Sequence, residues 1–147
     1  MKRAITASQV SQLLATKGFY ADKIHKSRKF PGAYVVREGF YYRHGQSQFT
    51  IADKLKKAVQ AQIVIAREEY ASWPKDSYWE VIFRLPQWRI NALAKKIDMT
   101  DELVQAWEVY KADGINPAVQ LLTDQGNSQD WSQMVVEQMV VDLEEVK

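Results

Sequence analysis

A chain of 147 residues that is 46% hydrophobic, 12% aromatic and 26% charged is long enough to bury a core without staples and too apolar to stay disordered. Zero cysteine excludes disulfides, thiolate metal sites and a cysteine nucleophile. Apolar runs of only a few residues predict no membrane span, and the polar segment after Met1-Lys2-Arg3 predicts no leader, so the expected setting is cytoplasmic.

The formal net charge of +2 conceals a division. Residues 1–97 hold 18 Lys+Arg against 7 Asp+Glu, a net of +11, whereas residues 98–147 hold 2 against 11, a net of −9. Such asymmetry favours a polyanion partner for the first part, because each cation that reaches a phosphate releases condensed counterions.

In chain order, Thr6 and Gln9 have capping-box spacing, and Ile5 and Val10 stand at the positions of a hydrophobic staple. Val10, Leu13 and Leu14 then form one stripe and Gly18 a stop, which predicts a helix over about residues 7–16. Periodicity fails between Lys17 and Phe30, and Lys23, Lys26, Arg28 and Lys29 crowd a stretch edged by Phe19, Tyr20 and Phe30. A basic loop beside rings suits a phosphate backbone with a stacked base. Pro31-Gly32 closes that loop.

The densest stretch is Tyr34 to His44, with four aromatics, two arginines and one of the chain's two histidines. At period two, Tyr34, Val36, Glu38, Phe40, Tyr42 and His44 share one face, and Val35, Arg37, Gly39, Tyr41 and Arg43 the other. Neither face is cleanly apolar. Glu38-Gly39 in its middle fits either one long strand carrying a bulge or a tight hairpin of two short strands, and the hairpin is the favoured expectation. Rings beside guanidinium groups, if they face water, make a stacking and phosphate-binding platform; if they face inward they are ordinary sheet residues.

Ser47 or Thr50 opens a second helix, with Ile51, Leu55, Ala58 and Val59 inward and Lys54, Lys56 and Lys57 elsewhere on its surface. Residues 62–67 read as a strand, 68–76 as a loop and 77–85 as an alternating strand that Pro86 ends. Beyond it only helices are expected. Ile90, Leu93, Ala94 and Ile97 make one stripe; Asp98 or Thr100 caps the next helix, with Leu103, Val104, Trp107 and Tyr110 facing a core. Gly114 stops that helix, Pro117 starts a short one, and Ser128 caps a last helix with Trp131, Met134, Val135, Gln138 and Val141 along one side.

The expected architecture is therefore α+β: a helix-covered antiparallel sheet of order α-β-β-α-β-β over residues 1–86, followed by an acidic helical region, 87–147, packed on it. Leu93 to Val104 has helix-turn-helix spacing, but a reading helix that opens on Asp101-Glu102 and carries Glu108 meets phosphate with the wrong sign. His25 and His44 with Arg37, Arg43 and Tyr42 have the residue types of a metal-independent ribonuclease site, though no spacing fixes their geometry. No metal or cofactor site and no catalytic residues are expected: phosphate-loop, dinucleotide-binding and Ser-His-Asp signatures are absent, and two histidines without cysteine speak against zinc. The function expected is a non-enzymatic nucleic-acid-binding accessory protein that uses Lys23, Lys26, Arg28, Lys29, Arg37, Tyr41, Arg43, His44, Lys54 and Lys57. The alternative is a regulator or inhibitor that docks on a basic protein through Asp101, Glu102 and Glu108.

Overall fold

A computed structural model describes residues 5–19, 23–39, 48–69 and 78–144. The fold is α+β, with a four-stranded antiparallel sheet and, among the described residues, six helices. Contacts divide the chain into two compact units, Lys2–Pro86 and Gln87–Lys147.

In the first unit the order is α1 (Ala7–Thr16), β1 (Lys23–Lys26), β2 (Tyr34–Gly39), α2 (Gln48–Val59), β3 (Gln62–Glu69) and β4 (Tyr78–Arg84). The strands lie β1-β2-β4-β3, every neighbour antiparallel. The Thr6–Gln9 capping box forms in both directions and starts α1 as its spacing predicts. Thr50, a candidate cap, instead lies inside α2, and Ser47 lies outside the described residues.

The order of elements is the expected one, but two of its strands sit elsewhere. β1 occupies the basic stretch read as a loop, and β2 runs unbroken through Glu38-Gly39, where a turn was expected, with both residues paired to β4. The hairpin is thus β1–β2, closed by residues 27–33. Ser27 Oγ accepts from the Phe30 N–H at 3.0 Å, the Ser27 N–H donates to the Ala33 carbonyl at 2.9 Å, and Gly32 takes a left-handed φ of 81°. An edge strand that buries little needs no apolar alternation, so its periodicity is blank.

Directly paired residues share a face. Tyr34, Val36, Val81, Phe83 and Ile63 lie on one, where Val36, Val81 and Phe83 are fully buried together with Val10 and Leu14 of α1 and Ile51, Leu55 and Val59 of α2. The other face has a small core of its own, Ala33, Val35 and Ile82 with Phe30, Val64 and Ile65, and it includes nothing from α1 or α2. Hence β4 is buried on both sides, not on one as its alternation suggests.

β3 carries a bulge. Ile63 pairs with Phe83 but Ile65 pairs with Ile82, so Val64 is an extra residue. Without it, Ile63, Ile65 and Arg67 would share one face; with it, Ile65 and Arg67 pass to the face opposite the helices.

The second unit holds α3 (Gln87–Ala94), α4 (Asp101–Asp113), α5 (Ile115–Asp124) and α6 (Gln129–Leu143) around Val104, Trp107, Leu122, Val136 and Leu143. Thr100 and Ser128 cap α4 and α6 through their hydroxyls, and Gly114 at φ 96° separates α4 from α5. Two stripes are corrected. In α3 the fully buried positions are Arg89 and Ala92, with Ile90, Leu93 and Ala94 half-buried. In α6 they are Ser132, Val136, Met139 and Leu143, while Trp131, Met134 and Val141 face outward. Both faces of α6 are apolar enough to have been the core. Ser132, its Oγ donating to the Ser128 carbonyl at 2.8 Å, is small enough to turn inward at close approach.

The two methionines of α6 separate these faces. Met139→Ala should cost about 2–5 kcal/mol and Met134→Ala stay within about 0.5 kcal/mol in urea titrations; a larger loss at Met134 than at Met139 would place the stripe the other way round.

Candidate functional site

The features that concentrate charge and rings lie on the β1–β2 hairpin. Residues 23–37 contain five Lys+Arg and no Asp+Glu. Lys23, His25 and Lys26 are exposed on β1, and Arg28 and Lys29 are exposed in the connecting turn, where Lys29 Nζ lies 5.7 Å from the Phe30 ring.

The face of the sheet opposite the helices continues this charge inward. One row crosses all four strands: Lys23 of β1, Arg37 of β2, Glu80 of β4 and Arg67 of β3. At about 4.8 Å per strand it spans roughly 14 Å. Glu80 is the fixed point, its side chain only 3% exposed. Arg37 Nε donates to its Oε2 at 2.7 Å, while Arg67 gives Nε and Nη2 to Oε1 at 2.9 and 2.7 Å. Arg37 also lies over the Tyr78 ring, 4.9 Å from its centroid. The two arginine side chains remain 37% and 51% exposed, so a buried carboxylate holds two guanidinium groups at the surface of the sheet. The next row, Gly39–Tyr78–Glu69, adds one acidic position on that face.

Burial alone would push the Glu80 carboxyl up. The hydrogen bonds and positive charge of Arg37 and Arg67 outweigh it and hold the group below its ordinary value of 4.5.

The sequence-predicted residues fall into three sets. Lys23, Lys26, Arg28, Lys29 and Arg37 come together on the hairpin. Lys54 and Lys57 do not join them: they are exposed on the side of α2 opposite Ile51, Leu55 and Val59, behind the helix-covered face. Tyr20, Tyr41, Arg43 and His44 lie outside the described residues. Arg67 and Tyr78 were missed. Arg67 needed the bulge to reach this face, and Tyr78 looked like a plain strand residue; only the Glu80 position, charged in mid-strand, was a signal for either.

Of the acidic candidates, Asp101 and Glu108 are exposed along one side of α4, whereas Glu102 is half-buried and accepts from Asn127 Nδ2 at 2.8 Å. Among the described residues no group of three or more His, Asp and Glu is placed to hold a metal, and no helix is long and apolar enough to cross a membrane.

No family model, curated protein or solved structure matches this chain. What the site can do must come from its chemistry. Two surface guanidinium groups fixed by one carboxylate, beside a lysine and a histidine, offer preorganised donors to an anion. Charge-assisted hydrogen bonds of this kind suit the binding of an anion. The charged edge has a structural duty too, since lysines on β1 deter pairing with another sheet.

A carboxyl with a depressed folded value stabilises the fold above its ordinary titration range, and that contribution disappears as pH falls through the folded value. Wild-type protein should therefore exceed Glu80→Gln in stability at neutral pH, and the gap should close below about pH 4 in denaturant titrations. A gap constant down to pH 2 would mean that the pair contributes nothing through its charge.

Proposed function

We propose that this protein is a non-enzymatic nucleic-acid-binding accessory protein whose interface is the exposed side of the β1–β2 hairpin with the half-exposed arginines of the sheet beside it. The observation that carries the reading is five cations without a carboxylate in residues 23–37, four of them exposed on β1 and its turn and the fifth, Arg37, half-exposed on β2. In this reading Lys23, Lys26, Arg28 and Lys29 contact phosphates. Arg37, held by Glu80 and lying over Tyr78, supplies a fixed donor and a cation–ring step on which a base can stack. Tyr41, Arg43 and His44, outside the described residues, remain candidates on residue type alone. Binding of this kind follows the backbone, so it is weakly sequence-specific and strongly salt-dependent. A cytoplasmic setting suits it.

A second reading keeps a specific observation in its favour. Asp101 and Glu108 share an exposed side of α4, a surface that could meet a basic protein, so that the chain would act as a regulator or inhibitor of a nucleic-acid enzyme.

Fluorescence anisotropy with labelled single-stranded and duplex oligonucleotides at a series of salt concentrations tests the first reading. Lys23→Ser, Lys26→Ser and Lys29→Ser combined, all at exposed positions, should weaken single-strand binding at low salt by about tenfold or more. The triple variant should also flatten the log–log salt slope by about 2, near 0.7 per lost phosphate contact. Binding that ignores salt, or survives the triple variant unchanged, sinks it. Asp101→Lys with Glu108→Lys should leave oligonucleotide affinity undiminished and abolish capture by a basic partner if the second reading holds.

A further inference from the structure

α6 has two apolar stripes and uses only one. At 100° per residue, Ser132, Val136, Met139 and Leu143 point to the core, and Met134 and Val141 point directly away from it. Trp131 and Gln138 lie on one flank of that outward line, giving the spacing i, i+3, i+7, i+10. The exposures are 39% for Trp131, 60% for Met134 and 68% for Val141, three of the five exposed large hydrophobics among the described residues. A tryptophan and a methionine aligned at helical spacing on water are the residue types that anchor protein contacts, and isolated exposed apolar residues do not form such a line.

The edges of the stripe say what fits it. Asp130 and Glu137, two turns apart, are exposed along one edge, and Asp142, paired with Lys95 at 3.5 Å, marks the other. Residues 87–147 carry 5 Lys+Arg against 11 Asp+Glu. A second copy laid along this stripe would set carboxylates against carboxylates, and an anionic lipid surface would be repelled in the same way. The complementary occupant is an apolar stripe edged by cations.

We propose that the outward stripe of α6, Trp131, Met134 and Val141 between carboxylates, docks a basic amphipathic helix of a partner protein. Two helices packed along their stripes bury the apolar line, while lysines or arginines of the partner reach Asp130 and Glu137. The surface belongs to Gln87–Lys147 and stands whether or not the hairpin binds nucleic acid.

The probe is a labelled designed peptide with leucines at i, i+3, i+4 and i+7 and lysines or arginines elsewhere, set against the same peptide with glutamates in place of the cations. The full chain should bind the basic peptide and bind the acidic one at least about tenfold more weakly. Met134→Lys with Val141→Lys should lower affinity for the basic peptide by a similar factor while circular dichroism and oligonucleotide binding stay unchanged. Tryptophan emission should shift to the blue on binding, and Trp131→Phe should remove that shift. Absence of binding, equal binding of the two peptides, or a double variant that binds like wild type overturns the proposal. Concentration-dependent self-association that Met134→Lys with Val141→Lys abolishes would assign the stripe to a second copy and overturn it as well.

Discussion

A carboxylate buried in the middle of a sheet must be answered where it stands, and here the answer shapes the face opposite the helices. Glu80 sits on β4, the strand flanked by β2 and β3, with its side chain 3% exposed. Leaving it alone there would carry the full desolvation cost of a charge. Arg37 and Arg67 supply opposite charge from the strands on either side, three short contacts among them, at positions where each guanidinium still touches water. The register of three strands is thereby tied to one ionic cluster, because a one-residue slip of β2 or β3 would carry its arginine to the helix-covered face.

The bulge at Val64 is what makes that cluster possible. It changes the phase of β3 between Ile63 and Ile65, so one strand can give Ile63 to the helix-covered core and Arg67 to the opposite face. Val64 and Ile65 then both pack, with Phe30, against the small core of Ala33, Val35 and Ile82. Packing and electrostatics are coupled through one extra residue. The arginines that the proposed interface would use are therefore fixed before any ligand arrives, which lowers the ordering cost of binding.

Legibility in the sequence followed the size of the apolar signal. α1 is written out by Thr6, Gln9, Val10, Leu14 and Gly18, and the structure uses those residues as their spacing implies. The alternation of residues 78–84 revealed β4 but could not reveal burial on both faces, since Glu80 reads as solvent-facing until its partners on other strands are known. β1 left no periodic trace because an exposed edge strand spends its side chains on charge. The misplaced turn at Glu38-Gly39 has the same origin: local turn chemistry suggested a bend, and pairing with Trp79 and Tyr78 overrode it. At the candidate site, charge density located the hairpin lysines directly, whereas Lys54 and Lys57 were grouped with them only because sequence distance says nothing about opposite sides of a sheet.

The same reasoning explains the inverted reading of α6 and gives it significance. A helix with one apolar stripe announces its inward face; a helix with two leaves the choice to its neighbours, and here α3, α4 and α5 take the side with Ser132, where α6 can approach closely. Trp131, Met134 and Val141 thus lie outside by packing rather than by lack of hydrophobicity. A sequence that needed only solubility could carry polar residues at those three positions without disturbing Val136, Met139 or Leu143. Met134 and Val141 leave most of their surface in water, and it is the flanking carboxylates that give the outward stripe a preferred charge of partner.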